Sequence, residues 1–231
     1  MSRLLDNLAA VRERIAVAAE RSGRAASDVK LIAVTKYVDS DLARQLVEAG
    51  CHDLGEARPQ ELLSKADALR GLPVRWHLIG HLQRNKAKRV LPEVTLLHSG
   101  DSLRLLQELN SLAVQAERVV DLLLEVNISG DPAKHGFGPH ELEPALPALG
   151  ELTRLRIRGL MAMSGFHASL EEANFQFEQV RQLRDRLAVI AQPNMQFDEL
   201  SMGMSDDLEA AIMAGATYVR VGSSLFEGLI A

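Results

Sequence analysis

The sequence predicts an α/β fold: a single (β/α)₈ barrel of the TIM type, with one extra helix at its N-terminus. The chain has 231 residues, and barrels of this type have roughly 200–250. Eight short apolar segments alternate with segments of helical periodicity, which is the pattern of a parallel sheet with crossover helices. No stretch with the composition of a linker divides the chain, so we expect residues 1–231 to form one domain.

An open doubly wound sheet is the alternative α/β fold. Such a sheet has a glycine-rich fingerprint after its first strand, whereas this chain has Thr35-Lys36-Tyr37-Val38 at that point. We therefore expect the closed barrel.

The elements follow in order along the chain. Leu4, Leu8 and Val11 recur at helical spacing and predict the N-terminal helix, which ends near Gly23. The first strand, Leu31–Thr35, is a short, partly β-branched apolar run, typical of a strand buried on both faces. The same pattern predicts strands at residues 52–56, 74–79, 94–98, 119–127, 156–163, 197–202 and 218–221. Helical spacing predicts helices at residues 39–50, 59–69, 83–90, 102–117, 140–149, 170–191 and 206–214, with a short helical stub after the last strand.

Composition excludes several classes of protein. The chain is 47% hydrophobic and 25% charged, values of a globular protein rather than a disordered, collagen-like or coiled-coil one. Cys51 is the only cysteine, so an intramolecular disulfide and a thiolate metal cluster are excluded. A net charge of -5 argues against a general nucleic-acid binder. Charged residues from Arg3 to Arg21 interrupt any signal peptide, and no apolar run reaches the ~18 residues of a membrane span. We expect a cytoplasmic protein without membrane contact.

Lys36 is the first candidate site residue. In a barrel of this type the active site lies where the strands end, and Lys36 closes the first strand. Desolvated surroundings there would lower its pKa and free the neutral amine, which can form a Schiff base with an aldehyde or ketone. The alternative is a lysine that only extends into solvent.

The end of the last strand offers a second candidate site. Gly222, Ser223 and Ser224 begin the final helical stub, where small residues and a helix N-terminus can bind phosphate. An ordinary glycine turn is the alternative. Arg220 lies just before them, and a buried guanidinium must be paired or bound. It could face a cofactor ring or an acid such as Glu56.

Two other segments are weaker candidates. The helix after the seventh strand begins with Ser205-Asp206-Asp207, and its own acids make it a poor anion site, although the loop before it can still contribute contacts. His77 and His81 have no third ligand in the sequence pattern, so we expect no metal site. The basic segment at residues 84–89 is typical of a solvated helix face.

Several motifs follow one another in the order found in one protein family. These are Ile32-Ala33-Val34-Thr35-Lys36, Gly55-Glu56, the run from Trp76 to Lys86, Val126-Asn127, Lys134-His135-Gly136, Gly159-Leu160-Met161, the run from Leu200 to Ser205, and Val219-Arg220-Val221-Gly222. With them the chain resembles the pyridoxal 5′-phosphate (PLP) homeostasis proteins from its N-terminal helix to nearly its last residue.

The resemblance implies a barrel like the N-terminal domain of alanine racemase, holding PLP as a Schiff base on Lys36 with Arg220 facing the pyridine nitrogen. The cofactor-binding residues that it implies are Lys36, Ser201, Gly203, Ser205, Arg220, Gly222 and Ser223. Two positions depart from the family pattern. Ala57-Arg58-Pro59 stands where the family has Asn-Tyr, so one cofactor contact is missing, and Phe226-Glu227-Gly228 stands where the family has Phe-Gly.

The resemblance also implies a protein without catalytic residues that stores PLP and delivers it to apo-enzymes. Racemisation needs a second acid-base group opposite the lysine, and Tyr37, one of two tyrosines, should point away from Lys36 by strand alternation. An arginine at the pyridine nitrogen would weaken carbanion stabilisation. The sequence stops soon after the eighth strand, without a racemase's second domain, so we expect a monomer. A PLP-dependent amino-acid racemase of low activity is the alternative, and a barrel enzyme using Lys36 for aldol chemistry without PLP is a third.

Overall fold

Eight parallel strands close into a barrel in which each strand pairs with the next along the chain and the eighth pairs with the first. This computed structural model describes residues 3–165 and 168–229. The strands are β1 (Lys30–Val34), β2 (Asp53–Glu56), β3 (Arg75–Leu78), β4 (Val94–Gly100), β5 (Val120–Val126), β6 (Leu155–Ala162), β7 (Met195–Ser201) and β8 (Tyr218–Val221). The predicted closed barrel is confirmed, and the doubly wound alternative is wrong.

Helices connect the strands around the outside of the barrel. They are α1 (Arg3–Arg21), α2 (Ser40–Glu48), α3 (Pro59–Ala68), α4 (Arg84–Val90), α5 (Leu103–Gln115), α6 (Leu142–Gly150), α7 (Leu170–Val189) and α8 (Leu208–Met213), with 3-10 turns at Ala26–Asp28 and Ser223–Leu225. Side-chain caps define several helix starts: the carboxylate of Asp39 accepts from the Leu42 N–H at 2.9 Å, so α2 begins one residue after the predicted start. The predicted stub after β8 is a single 3-10 turn.

Strand alternation separates two cores. Residues that point outward pack under the helices and form the larger core, whereas Ile32, Leu96, Leu123, Met161 and Tyr218 form a small apolar cluster inside the barrel. Other interior positions hold buried polar side chains, among them His77, His98 and Ser201, which belong to the site described below.

α1 packs against α8 through its predicted apolar face, which includes the buried Leu4, Leu8 and Ile15. A cavity of about 820 Å³ lies between α1 and the amino-terminal mouth of the barrel, lined in part by Asp53 and Arg75. Among the helices of the described residues, none has both the length and the apolar character needed to cross a membrane.

Candidate functional site

Lys36 lies at the carboxyl-terminal mouth of the barrel but is exposed. The prediction that Lys36 has desolvated surroundings is wrong. β1 ends at Val34, and the buried Thr35 is followed directly by the turn. Lys36 therefore sits in the turn that leads to α2. The prediction that Tyr37 points away is also wrong, since strand alternation stops before the turn and the Lys36 Nζ lies 4.9 Å from the centre of the Tyr37 ring.

Arg220 is buried at the same mouth, with 4% of its surface exposed. One terminal nitrogen donates to the carbonyl and hydroxyl oxygens of Ser201 at 2.7 and 2.6 Å, and the other donates to the Ala162 carbonyl at 2.9 Å. Throughout residues 3–165 and 168–229, no carboxylate is within ion-pair distance of this guanidinium. Burial lowers its pKa to about 10, so it stays charged at neutral pH. The alternative pairing with Glu56 is wrong.

Glu56 instead binds Lys65, a residue on α3 that the sequence analysis missed. The Lys65 Nζ donates to the Glu56 carboxylate at 2.5 Å and to the Thr35 carbonyl at 2.6 Å, and the Thr35 hydroxyl donates to the same carboxylate oxygen at 2.7 Å. All three side chains are buried. This cluster fixes the backbone immediately before Lys36. Its only signal in the sequence is a lysine among the apolar positions of a helix.

A chain of hydrogen bonds runs from Arg220 through the barrel interior to the opposite mouth. His98 Nδ1 lies 2.9 Å from the Ser201 hydroxyl, and His98 Nε2 lies 3.0 Å from His77 Nδ1. His77 Nε2 lies 3.0 Å from the Asp53 carboxylate, which in turn accepts two hydrogen bonds from Arg75 at the amino-terminal mouth.

The chemistry of the two ends fixes the direction of the hydrogen bonds at those ends. Arg220 can only donate and the Asp53 carboxylate can only accept. The Ser201 hydroxyl therefore accepts from Arg220, and His77 donates to Asp53 through its Nε2. Burial is the main cause that holds the pKa of His98 well below its usual range, so this imidazole is neutral and donates through only one of its two ring nitrogens.

Asp53 provides the negative end of the chain. Burial by itself would raise the pKa of Asp53, but the hydrogen bonds from Arg75 and His77 outweigh burial and hold that pKa well below its usual range. The sequence analysis missed Asp53 and His98, because their roles depend on strand register across the barrel.

The loops after β7 and β8 meet beside Arg220. The Arg220 N–H donates to the Gly203 carbonyl at 3.0 Å, and the Ser224 N–H donates to the Ser205 hydroxyl at 3.3 Å. The hydrogen bonds of the described residues leave the N–H groups of Gly222 and Ser223 without a protein acceptor. These two groups are free to bind an anion.

Gly203 is required where it stands. Its φ is +85°, and a Cβ there would lie 2.5 Å from the Cβ of Ala211 on α8. The Asp207 carboxylate accepts from the Met204 N–H at 2.6 Å, so that amide is not available to a ligand.

Glu125 is a further buried acid at this mouth, at the end of β5. Burial, and then the negative charge of Asp101, raise its pKa to about 7. Sequence analysis placed Glu125 on the fifth strand without a role, because alternation in a doubly buried strand does not distinguish inside from outside.

Ala57-Arg58-Pro59, the departure from the family pattern, forms a close contact with the next loop. A Cβ on Gly80 would lie 2.3 Å from the Ala57 carbonyl, so the two loops pack backbone to backbone. Arg58 is exposed at the start of α3.

A closed eight-stranded barrel with its polar site at the carboxyl-terminal mouth is the architecture of the alanine racemase N-terminal domain. The model of that family matches residues 7–229. A solved alanine racemase from Clostridium difficile superposes with a TM-score of 0.70 at 17% identity, covering 86% of this chain and 52% of that one. At this identity the similarity shows the fold alone.

Relatives of higher identity define the family within this class. The pyridoxal phosphate homeostasis protein of Aquifex aeolicus is 38% identical over 221 residues, 96% of each chain, and that of Escherichia coli K12 is 38% identical over 229 residues, 98% of this chain and 97% of the relative. PipY of Synechococcus elongatus, solved with PLP bound, has a TM-score of 0.85 at 35% identity and covers 97% of this chain and all of its own. This chain belongs to the pyridoxal phosphate homeostasis protein family, as its motifs predicted.

Proposed function

We propose that this chain binds PLP at the carboxyl-terminal mouth of its barrel, attached through Lys36, and stores and delivers the cofactor without turning over a substrate. The main support is Arg220, a buried cation to which the described residues offer only neutral acceptors, at the mouth where Lys36 presents an amine. PipY, a relative similar over its full length, has PLP bound in its solved structure.

The residues at this mouth fit the group. Arg220 is a hydrogen-bond donor suited to an unprotonated ring nitrogen. The N–H groups of Gly222 and Ser223 suit a phosphate, and Gly203 and Ser205 lie on the adjoining loop. Ser201 acts through Arg220 in this proposal, because its buried hydroxyl already binds Arg220 and His98.

When bound, PLP supplies an aldehyde that forms a reversible carbon–nitrogen double bond with a primary amine. Lys36 is exposed, so an amine from solvent or from an acceptor protein can reach the carbon to which the lysine would be attached and take the place of the Lys36 amine. Arg220 keeps its proton at neutral pH, since its pKa is about 10, and therefore orients the ring without donating a proton to it.

The two tyrosines do not supply an acid-base group opposite Lys36. Tyr37 is 73% exposed and lies on the same side as the lysine. Tyr218 lies in the barrel interior, where its hydroxyl accepts a hydrogen bond from Lys30 at 3.1 Å near the amino-terminal mouth. This arrangement favours a carrier over a racemase.

A racemase of low activity is the second candidate, favoured by one observation. Glu125 is a buried carboxyl group at the same mouth with a pKa of about 7, suited to proton transfer at neutral pH. If the chain racemises alanine, Glu125→Gln should abolish turnover. If it is a carrier, the purified, PLP-loaded protein should show none.

Attachment is tested by reducing the loaded protein with borohydride and mapping the modified peptide. We expect one phosphopyridoxyl group on Lys36, and loss of both the visible absorbance and the adduct in Lys36→Ala. Lys30→Ala is the matched control, since Lys30 lies on the same strand at the other mouth and binds Tyr218 and Glu199. An adduct that persists in Lys36→Ala would overturn the proposed attachment.

Delivery and assembly are separate parts of the proposal. We propose that residues 1–231 form one PLP-binding domain, that the chain is a monomer, and that apo-enzymes receive its cofactor. Light scattering after size exclusion tests whether the chain is a monomer, and a single cooperative unfolding transition tests whether it is one domain. Transfer to an apo-enzyme held behind a dialysis membrane, compared with transfer in direct contact, distinguishes release into solution from handover.

A further inference from the structure

Three side chains with nitrogen and oxygen ligand atoms meet at the rim of the carboxyl-terminal mouth. His81 lies in the loop after β3, Asp101 directly follows β4, and His135 lies in the loop between β5 and α6. The His81 Nδ1 is 2.6 Å from an Asp101 carboxylate oxygen, and the rings of His81 and His135 stack with their centres 4.1 Å apart. One ligand atom from each residue lies within 4.8 Å of the other two.

We propose that His81, Asp101 and His135 bind a divalent transition-metal ion of the zinc class. Two imidazoles and one carboxylate are a ligand set that zinc, cobalt and nickel prefer, whereas calcium and magnesium prefer oxygen ligands alone. The expectation of no metal site arose because His81 had no third ligand near it in the sequence. The fold supplies the missing ligands from two other loops.

The spacing of the ligand atoms suits such an ion. Bond lengths of about 2.0–2.1 Å in a tetrahedral arrangement place neighbouring ligand atoms about 3.3 Å apart. The present separations, from 2.6 Å to at most 4.8 Å, lie on both sides of that value. Both imidazoles are exposed and can rotate to converge on an ion.

The carboxylate is held in place for this role. Asp101 is 9% exposed, and its second oxygen accepts a hydrogen bond from the Ser102 hydroxyl at 2.9 Å, an outer contact that orients the first oxygen. A cavity of about 390 Å³ adjoins His81 and Asp101 and is also lined by Arg84 and Arg104. A metal ion there would keep an open coordination position beside two cations, which suits an anionic fourth ligand.

A bound ion would join the loops after β3 and β5 at the mouth that also holds Lys36. The Lys134 Nζ, next to His135 in the chain, donates to the Ser164 carbonyl at 2.6 Å, so the loop after β5 is already anchored to the strand end of β6. The proposed ion would add a second anchor to the same loop.

Calorimetric titration of the untagged, chelator-treated full chain with Zn²⁺ tests the site. We expect one saturable site, weakened at least about tenfold in both His81→Ala and His135→Ala. His140→Ala, which removes another exposed histidine of the same loop, is the matched control and should bind like the wild type. Ser102→Ala should weaken binding less than removal of a ligand does.

Co²⁺ gives a second measurement on the same proteins. We expect visible absorption bands of a low-coordinate ion in the wild type, lost in His135→Ala. PLP itself binds metal ions, so the contribution of bound PLP must be separated from that of the three side chains. Lys36→Ala lacks the proposed attachment point for PLP and should bind Zn²⁺ with the wild-type affinity, because the proposed metal site does not include PLP. No saturable Zn²⁺ site, or equal affinity in the wild type, His81→Ala and His135→Ala, would overturn the proposal.

Discussion

Replacement of His98 by phenylalanine should destabilise the barrel and loosen Arg220. His98 is fully buried, and it links Ser201 at 2.9 Å to His77 at 3.0 Å. Phenylalanine leaves the Ser201 hydroxyl and His77 Nδ1 without the hydrogen-bond partner that His98 provides. Each unsatisfied buried group costs about 1–3 kcal/mol, so the free energy of unfolding should fall by about 2–6 kcal/mol.

A double-mutant cycle with Ser201→Ala separates the lost hydrogen bond from the change in side-chain volume. When both residues are replaced, the unsatisfied hydroxyl is absent, so the double variant should be more stable than the sum of the single effects by about 1–3 kcal/mol. Urea unfolding followed by circular dichroism measures each free energy, and an unchanged denaturant slope shows that the variants unfold alike.

His140→Phe is the control for the same chemical change at an exposed position. We expect an effect within about 0.5 kcal/mol. A His98→Phe effect below about 1 kcal/mol, or strict additivity with Ser201→Ala, would refute the hydrogen-bond chain described for the barrel interior. A second readout is PLP affinity, which should fall in His98→Phe because Arg220 loses its fixed position.

Three other predictions concern buried ionisable groups. Lys65→Met leaves the fully buried Glu56 unpaired and should destabilise the fold by about 3–5 kcal/mol in urea unfolding, with partial recovery when Glu56→Gln is added. Glu125 has its folded-state pKa raised from 4.5 to about 7, so the native state binds its proton more tightly than the unfolded state, and its contribution to stability is lost as pH rises through that interval. In chelator-containing buffer, the free energy of unfolding of Glu125→Gln should exceed that of the wild type by up to about 3 kcal/mol at about pH 8.5 and by little at about pH 4.5. Equal differences at the two pH values would show that the ionisation of Glu125 is not their cause. Burial raises the pKa of the Cys51 thiol to about 11. Labelling of Cys51 by a disulfide reagent at about pH 8 should therefore be at least about 100-fold slower in the native protein than in urea. Comparable rates would show that the structure around Cys51 opens freely.

Sequence pattern predicted the barrel because its outward-facing strand residues and its helix faces follow simple periodicities. Leu4, Leu8 and Val11 on α1 are buried as their spacing required, and β8 has the predicted bounds. Boundaries moved where a side-chain cap or a turn decides the end of an element. Thr35 is the instructive case: its apolar neighbours extended the predicted strand, but its hydroxyl bonds Glu56 and the chain turns there.

The polar interior was less predictable because it depends on which strands lie opposite one another. His98 and Ser201 are 103 positions apart in the chain, yet their side chains are within 2.9 Å. His81, Asp101 and His135 likewise come from three separate loops. Their places at strand ends singled out Lys36 and Arg220, and the resemblance gave them roles, while the residues that position Arg220 follow only from barrel closure and register.

The contrast between Lys36 and Arg220 provides the physical argument for a carrier. An enzyme that stabilises a transition state holds its reacting groups in a water-excluded site, where electrostatic interactions are strong. Here the group that would orient the ring is buried and tied through Ser201 and two imidazoles to Asp53, but the amine that would attach the cofactor is exposed. Rigid orientation combined with an accessible attachment point favours exchange of the amine over chemistry on a trapped substrate. Tyr37→Trp places a larger ring beside Lys36 and should reduce the exposure of the lysine. This variant should release PLP more slowly in a stopped-flow transfer assay, while the adduct on Lys36 stays unchanged. An unchanged release rate would show that exposure of the lysine does not control exchange.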